Sequence, residues 1–170
     1  MYLKKDNLAI RAALPDDAEL LCRWWNDGDV MAHAGFPRGL GITEEEIADK
    51  INTDTYLSRR LILEVDGVPV GEMNYKTVSE GTAAIGIKIC ERDKRGKGCG
   101  TAFLKMLIGY LFDEMGYRKI VLDTNVNNTR ARHVYEKIGF RRVGIRKDAW
   151  KDQVGEWQSF VDYALAREEE

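Results

Sequence analysis

The sequence predicts an α/β fold, a mixed α+β sheet in a single domain spanning residues 1–170. Three observations carry that expectation. Segments of helical periodicity alternate with short β-branched runs. Two turn signals, Asp66-Gly67 and Ser79-Glu80-Gly81, join three of those runs into an antiparallel meander. A glycine-rich turn then stands between a strand and a long apolar helix, the usual join of a β-α-β stretch. A chain of 170 residues is long enough to bury about two-thirds of its unfolded surface in one core.

Each element has a local reason. Leu8 to Ala12 reads as a first strand. Pro15 opens a helix whose first turn carries Asp16, Asp17 and Glu19, where negative charge suits the helix dipole. Ala18, Leu21, Cys22 and Trp25 recur at helical spacing, which makes them the expected buried stripe and leaves Trp24 off it, and Gly28 ends the element. A loop rich in Gly35, Pro37, Gly39 and Gly41 leads to a second helix, started by a Thr43/Glu46 capping box with Ile42 and Ile47 at staple positions.

Arg60 to Val65, Val68 to Thr77 and Thr82 to Cys90 are the meander strands, with Ile85, Ile87 and Ile89 on one face of the third. A long helix runs from Gly98 to about Met115, with Phe103, Met106, Leu107, Tyr110 and Leu111 as its stripe and Gly116 as its cap. Lys119 to Thr124 is a strand. Asn128 caps a helix that buries Ala131, Val134, Tyr135 and Ile138 and ends at Gly139. Phe140 to Arg146 and Glu156 to Leu165 are the last strands, and the helices number about four.

Composition narrows the function. The chain is 44% hydrophobic and 32% charged, with a formal net charge of −2, which argues against an electrostatic nucleic-acid or membrane binder. Cys22, Cys90 and Cys99 form no C-x-x-C pair and are odd in number, so free thiols in the cytoplasm are expected, with neither a signal-like N-terminus nor a membrane-length apolar run. Only His33 and His133 are present, without metal-ligand spacing, so no metal is expected.

The turn Arg95-Gly96-Lys97-Gly98-Cys99-Gly100-Thr101 carries the strongest chemical signal. Glycines let successive backbone N–H groups converge on an anion, the helix N-terminus adds unpaired donors, and Lys94, Arg95 and Lys97 add charge. A phosphate-bearing ligand fits those properties, although a flexible basic loop in front of a helix reads the same way. Two nucleotide loops fail on spacing. A Walker loop needs Ser or Thr directly after its lysine, whereas Gly98 follows Lys97; a dinucleotide fingerprint needs G-x-G-x-x-G, whereas this run is G-x-G-x-G.

Arg95-x-x-Gly98-x-Gly100 and its apolar helix resemble the acyl-CoA signature of the GNAT-type N-acetyltransferases. Asn128-x-x-Ala131-x-x-x-Tyr135-x-x-x-Gly139-Phe140 resembles the same family's second signature, in the same order and separation. Leu8-Ala9-Ile10-Arg11 and Trp24-Trp25-Asn26-Asp27 look like the branch holding ribosomal-protein, polyamine and antibiotic acetyltransferases.

The resemblance implies a central, mostly antiparallel sheet with one splayed parallel pair, in which the arm of acetyl-CoA lies like an added strand. It assigns the arm to backbone groups of Lys88, Ile89 and Cys90, with the Cys90 N–H as oxyanion donor. The pyrophosphate goes to Arg95, Gly96, Lys97, Gly98, Cys99, Gly100 and Thr101, and a more distal part of the cofactor to Asn128. Tyr135 is implied as the acid that protonates the departing thiolate; its alternative is a core tyrosine. Asp123 and Glu72 are the candidate bases, with solvent exposure at a strand end the alternative for Asp123. Covalent catalysis by Cys99 lacks a histidine partner in sequence.

The acceptor, a small-molecule amine or a protein amino group, is expected near the first two helices, the loop between them and the segment after Phe140. Trp24 and Trp150 are the candidate aromatic walls, and Asp27, Asp29, Asp148 and Asp152 the candidate cation partners or a solvated acidic surface. A homodimer through sheet edges or C-terminal strands is implied by relatives. A CoA-binding sensor without catalysis is the rival reading.

Overall fold

Tight two-residue turns fix the first half of the sheet. In the computed structural model, which describes residues 1–168, Tyr2–Lys5 (β1) pairs with Leu8–Ala12 (β2) across a turn that puts Asp6 at φ 53°. Ser58–Val65 (β3) and Val68–Ser79 (β4) meet at Asp66 (φ 53°) and Gly67 (φ 77°). Two consecutive positive φ values make this the turn whose twist matches the strands it joins. Gly81 (φ 74°) leads into Thr82–Ile89 (β5). The first hairpin is absent from the sequence reading, because Tyr2-Leu3-Lys4-Lys5 is short and two of its four residues are lysines.

Eight strands form one mixed sheet in the order β1-β2-β3-β4-β5-β6-β8-β7, with Lys119–Asn125 as β6, Arg141–Lys151 as β7 and Trp157–Ala166 as β8. The first four pairings are antiparallel and β5 pairs with β6 in parallel. The α-helices of the described residues are Ala18–Trp25 (α1), Gly28–Met31 (α2), Glu44–Asn52 (α3), Cys99–Asp113 (α4) and Thr129–Ile138 (α5), five where about four are expected. None in the described residues is long and apolar enough to cross a membrane.

The chain divides into two compact units. The first comprises residues 1–13 and 54–122 together with the chain from Ala164. Its core is built from Ile10, three consecutive β3 residues Leu61, Ile62 and Leu63, Met73 and Tyr75 of β4, and the apolar face of α4, which packs on β2 and β5. Each fully buried leucine or isoleucine there contributes about 1.5–3 kcal/mol. Burial on α4 falls on Phe103, Leu104, Leu107, Ile108 and Leu111, not on the expected Met106 and Tyr110, which are half-buried. The buried surface comprises two adjacent i, i+4 rows, Phe103–Leu107–Leu111 and Leu104–Ile108.

The second unit comprises residues 14–53 and 123–163. Thr43 Oγ1 accepts from Glu46 N at 3.2 Å, the N-cap half of the expected capping box, and Ile47 is fully buried. Two expectations are reversed here. Helix α1 stops at Trp25 with Asn26 as C-cap, and Gly28 begins α2 instead of ending α1. A Cβ on Gly28 would lie 1.9 Å from Pro37 O, so close backbone approach is what requires glycine there. Ala18, Leu21 and Trp24 form the buried row of α1, whereas Trp25 is only half-buried. Trp24 is thus a core residue.

Candidate active site

In the first unit the site begins where β5 loses a neighbour. Parallel pairing with β6 runs through Thr82↔Lys119, Ala83↔Ile120 and Ala84↔Val121, and stops before Ile85 and Leu122. From Ile85 to Ile89, β5 continues on β4 alone, through Ile85↔Tyr75 to Ile89↔Gly71. This is the splay implied by the two signatures. Backbone groups freed from a ladder in this way can take an extended ligand as an extra strand.

The end of β5 is tightly held. A Cβ on Gly71 would lie 2.3 Å from Lys88 O, so only glycine lets β4 close against β5 here. Cys90 N and Glu91 N both donate to Val70 O, at 2.8 and 3.0 Å. Arg95 folds back, its Nε donating to Ile89 O at 2.9 Å and its Nη2 to Cys90 O at 3.2 Å. These contacts correct two expectations. The Cys90 N–H is already engaged and is not a free oxyanion donor, and the Arg95 guanidinium braces the strand end in addition to any charge it lends the turn.

Cys90 itself is buried, and its Sγ lies 3.7 Å from Lys88 O. Burial, followed by the negative charge of Glu72, pushes its thiol well above the ordinary range. Glu72 faces Lys88 across the β4–β5 ladder and is half-buried.

The glycine turn follows. Gly96 (φ 72°) and Gly98 (φ 82°) occupy the left-handed region, and Gly98 is the N-cap of α4. No atom lies within 4 Å of a Cβ on Gly98, so its φ, and not crowding, is what selects glycine. The first turn of α4 directs the N–H groups of Cys99, Gly100 and Thr101 away from any intrahelical acceptor, while Ala102 N reaches Gly98 O at 3.3 Å. Gly96, Lys97 and Gly98 are exposed, which leaves the turn open to an anion. Cys99 Sγ donates to Lys94 O at 3.2 Å, turning the thiol back onto its own loop.

The second unit holds the acid candidate. Tyr135 is buried on α5, its ring edge-on to Phe140 and Tyr163 at 6.0 and 5.8 Å. Burial first, then the charge of Asp123, raises its phenol to about 12. A proton held that firmly is fully present at neutral pH, as a donor requires. Asp123 is exposed and accepts from Arg146 Nη2 at 2.7 Å; Arg146 also grips Asp162 through two bonds of 2.9 Å and lies over the Phe160 ring. Arg146 thus holds the Asp123 carboxylate in an exposed ion pair. Asn128 Oδ1 accepts from Ala131 N at 3.2 Å, so that oxygen caps α5.

The loops expected to meet the acceptor are also assembled in this unit. Trp150 tilts against Phe36 at 5.8 Å and covers Gly35, whose φ is 94°; a Cβ there would meet the indole at 2.5 Å. Gln153 joins the β7–β8 turn to the same loop, its Oε1 accepting from Arg38 N at 2.8 Å and its Nε2 donating to Gly39 O at 2.9 Å. Asp27 caps α2, and Asp152 accepts from Val154 N, Glu156 N and Gln158 Nε2, so both carboxylates serve local turns. Among the described residues no cluster of three or more His, Cys, Asp or Glu side chains is placed to hold a metal ion.

Residues 7–141 match the acetyltransferase (GNAT) domain. The chain belongs to the GNAT acetyltransferase family. It is an N-acetyltransferase by that membership. A GNAT-family acetyltransferase from Bacillus anthracis is 29% identical, with a TM-score of 0.81 and coverage of 99% of this chain and 100% of that one. A spermidine N-acetyltransferase from Vibrio cholerae, solved with CoA and spermine, shares the fold at a TM-score of 0.82 and 22% identity, covering 95% and 96% of the two chains. In sequence, an aminoglycoside N(6')-acetyltransferase type 1 from Klebsiella pneumoniae is 23% identical over 154 residues, 82% of this chain and 76% of the relative.

Within this GNAT chain, the first unit gathers Glu72, Lys88, Ile89, Cys90 and the turn Arg95–Thr101, and the second gathers Asp123, Asn128, Tyr135 and Trp150. Gln153, Arg146 and Tyr163 escaped the sequence reading. A polar residue in a turn and an aromatic on a strand carry no chemical signature, and only the period-2 pairing of Val161 with Tyr163 could have marked the latter as buried.

Proposed function

We propose that this GNAT enzyme transfers the acetyl group of acetyl-CoA directly to a primary amine, of a small molecule or a protein, in a ternary complex. The observation that carries the reading is the freed edge of β5 running into an exposed glycine turn and the first turn of α4. An extended thioester arm with an anionic end fits that order of features: backbone edge, then a nest of N–H donors. Lys97 and the N–H groups of Gly96 through Thr101 hold the pyrophosphate, and Asn128 acts farther along the cofactor.

Acetyl-CoA supplies an activated carbonyl carbon and a thiolate leaving group. The amine nitrogen, once neutral, forms a bond to that carbon and the carbon–sulfur bond breaks. Tyr135 gives its hydroxyl proton to the sulfur, and the surplus proton on nitrogen leaves to a base or to water. Glu72, which faces Lys88 across the β4–β5 ladder, and Asp123, which pairs with Arg146, are the two candidate bases. Trp150, fixed by Phe36 and Gly35, offers an aromatic wall to the acceptor. The three free cysteines suit a cytoplasmic enzyme.

The test is CoA release by the purified protein from acetyl-CoA with spermidine, an aminoglycoside, free amino acids and a peptide carrying a ribosomal-protein N-terminus. Turnover with one class supports the reading. Thermal stabilisation by acetyl-CoA with no release from any class assigns a binding role instead.

A further inference from the structure

We propose that Tyr163 is a positioning residue for proton donation, its hydroxyl donating a hydrogen bond to the Tyr135 oxygen as Tyr135 gives up its proton. The inference rests on the reading of Tyr135 as the acid. Tyr163 lies on β8 and is 1% exposed, and its hydroxyl is the one buried side-chain polar atom without a hydrogen-bond partner among the described residues. A phenylalanine would fill the same space without an orphaned donor, so a tyrosine there is unfavourable for stability alone. Its ring packs edge-on to Tyr135 at 5.8 Å, and Phe140 closes the other side of Tyr135 at 6.0 Å.

The chemistry explains what a buried spare donor is for. When the Tyr135 O–H bond breaks and its proton passes to sulfur, a phenolate is left in an apolar wall with the negative Asp123 nearby. Tyr135 is only 5% exposed, so stabilisation of the new charge falls largely to preorganised protein donors. The Tyr163 O–H donates without transferring its own proton, and Tyr135 is reprotonated from solvent after the thiol leaves. An orphan in the resting state that gains its partner as charge develops stabilises the transition state and not the ground state.

The experiment compares Tyr135→Phe, Tyr163→Phe and the double variant, measuring CoA release from acetyl-CoA with spermidine, kanamycin and an alanine-initiated peptide, together with thermal melts of the free proteins. Tyr163→Phe is expected to lower kcat about tenfold to a hundredfold, with both KM values within about twofold. Its melting temperature should be unchanged or higher. Added to Tyr135→Phe, the second substitution should change kcat by less than about twofold, because the two hydroxyls act as one unit. Wild-type kcat in Tyr163→Phe, or a lower melting temperature together with raised KM values, overturns the inference while leaving Tyr135 as the acid. Wild-type kcat in Tyr135→Phe overturns the parent reading and this inference with it.

Discussion

Arg95→Ala separates the brace that Arg95 forms at the end of β5 from the pyrophosphate contact expected of it. In the structure the guanidinium makes one short bond to Ile89 O at 2.9 Å and one longer bond to Cys90 O at 3.2 Å. Hydrogen bonds from a charged donor are worth about 1.5–3 kcal/mol each, and the longer, half-exposed one belongs below that range. A total of about 2–3 kcal/mol follows for the free protein. For a chain of this size each kcal/mol moves the melting temperature by about 2–4 °C, so Arg95→Ala should lower it by about 4–12 °C. Differential scanning calorimetry without ligand reads this directly. Acetyl-CoA KM should rise in parallel, because the strand edge proposed to receive the arm loses its brace. Arg95→Lys should recover little, since a single ammonium cannot reproduce the two-pronged geometry. An unchanged melting temperature combined with a salt-dependent rise in KM would refute the bracing argument and leave Arg95 as a phosphate ligand.

Further outcomes follow from the same geometry. Gly35→Ala combines a positive φ of 94° with a Cβ 2.5 Å from the Trp150 indole, and should cost about 2–4 kcal/mol in urea unfolding and raise acceptor KM more than acetyl-CoA KM. The Tyr135 phenol, at about 10 in the unfolded chain and about 12 when folded, contributes stability that is complete below pH 10 and lost as pH rises toward 12. Alkaline unfolding curves of Tyr135→Phe should therefore be shallower than wild type, with the slope that remains owed partly to Tyr75, raised to about 12 by its own burial. Cys90, buried and with its thiol held protonated, should resist iodoacetamide in the native state and react only on unfolding, as mass mapping of the labelled peptides will show.

Much of this architecture was legible in the sequence because it is written in local chemistry. Asp66-Gly67, Thr43 and Asn128 as N-caps and the glycines before α4 each impose a backbone geometry by themselves, and each stands where expected. The splayed strand pair was reached only through resemblance, since nothing in Ile85 to Ile89 announces that a neighbour is missing. What failed depended on tertiary context. Trp24 and Trp25 are equally apolar, and only packing chooses which one enters the core. The N–H of Cys90 looked free because its acceptor, Val70 O, lies 20 residues back in the chain. The ion pair of Asp123 is equally invisible, because its partner Arg146 stands 23 residues on. Arg95 scored as a phosphate ligand by charge and position, whereas its reach back to the strand end is a property of the folded turn.

Tyr135 is the residue proposed to complete acetyl transfer. The direct test is steady-state CoA release by wild type and Tyr135→Phe, side by side, with the amine that gives turnover. Loss of about a hundredfold or more in kcat, with acetyl-CoA KM nearly unchanged, is the predicted result. Equal kcat in the two proteins would contradict it.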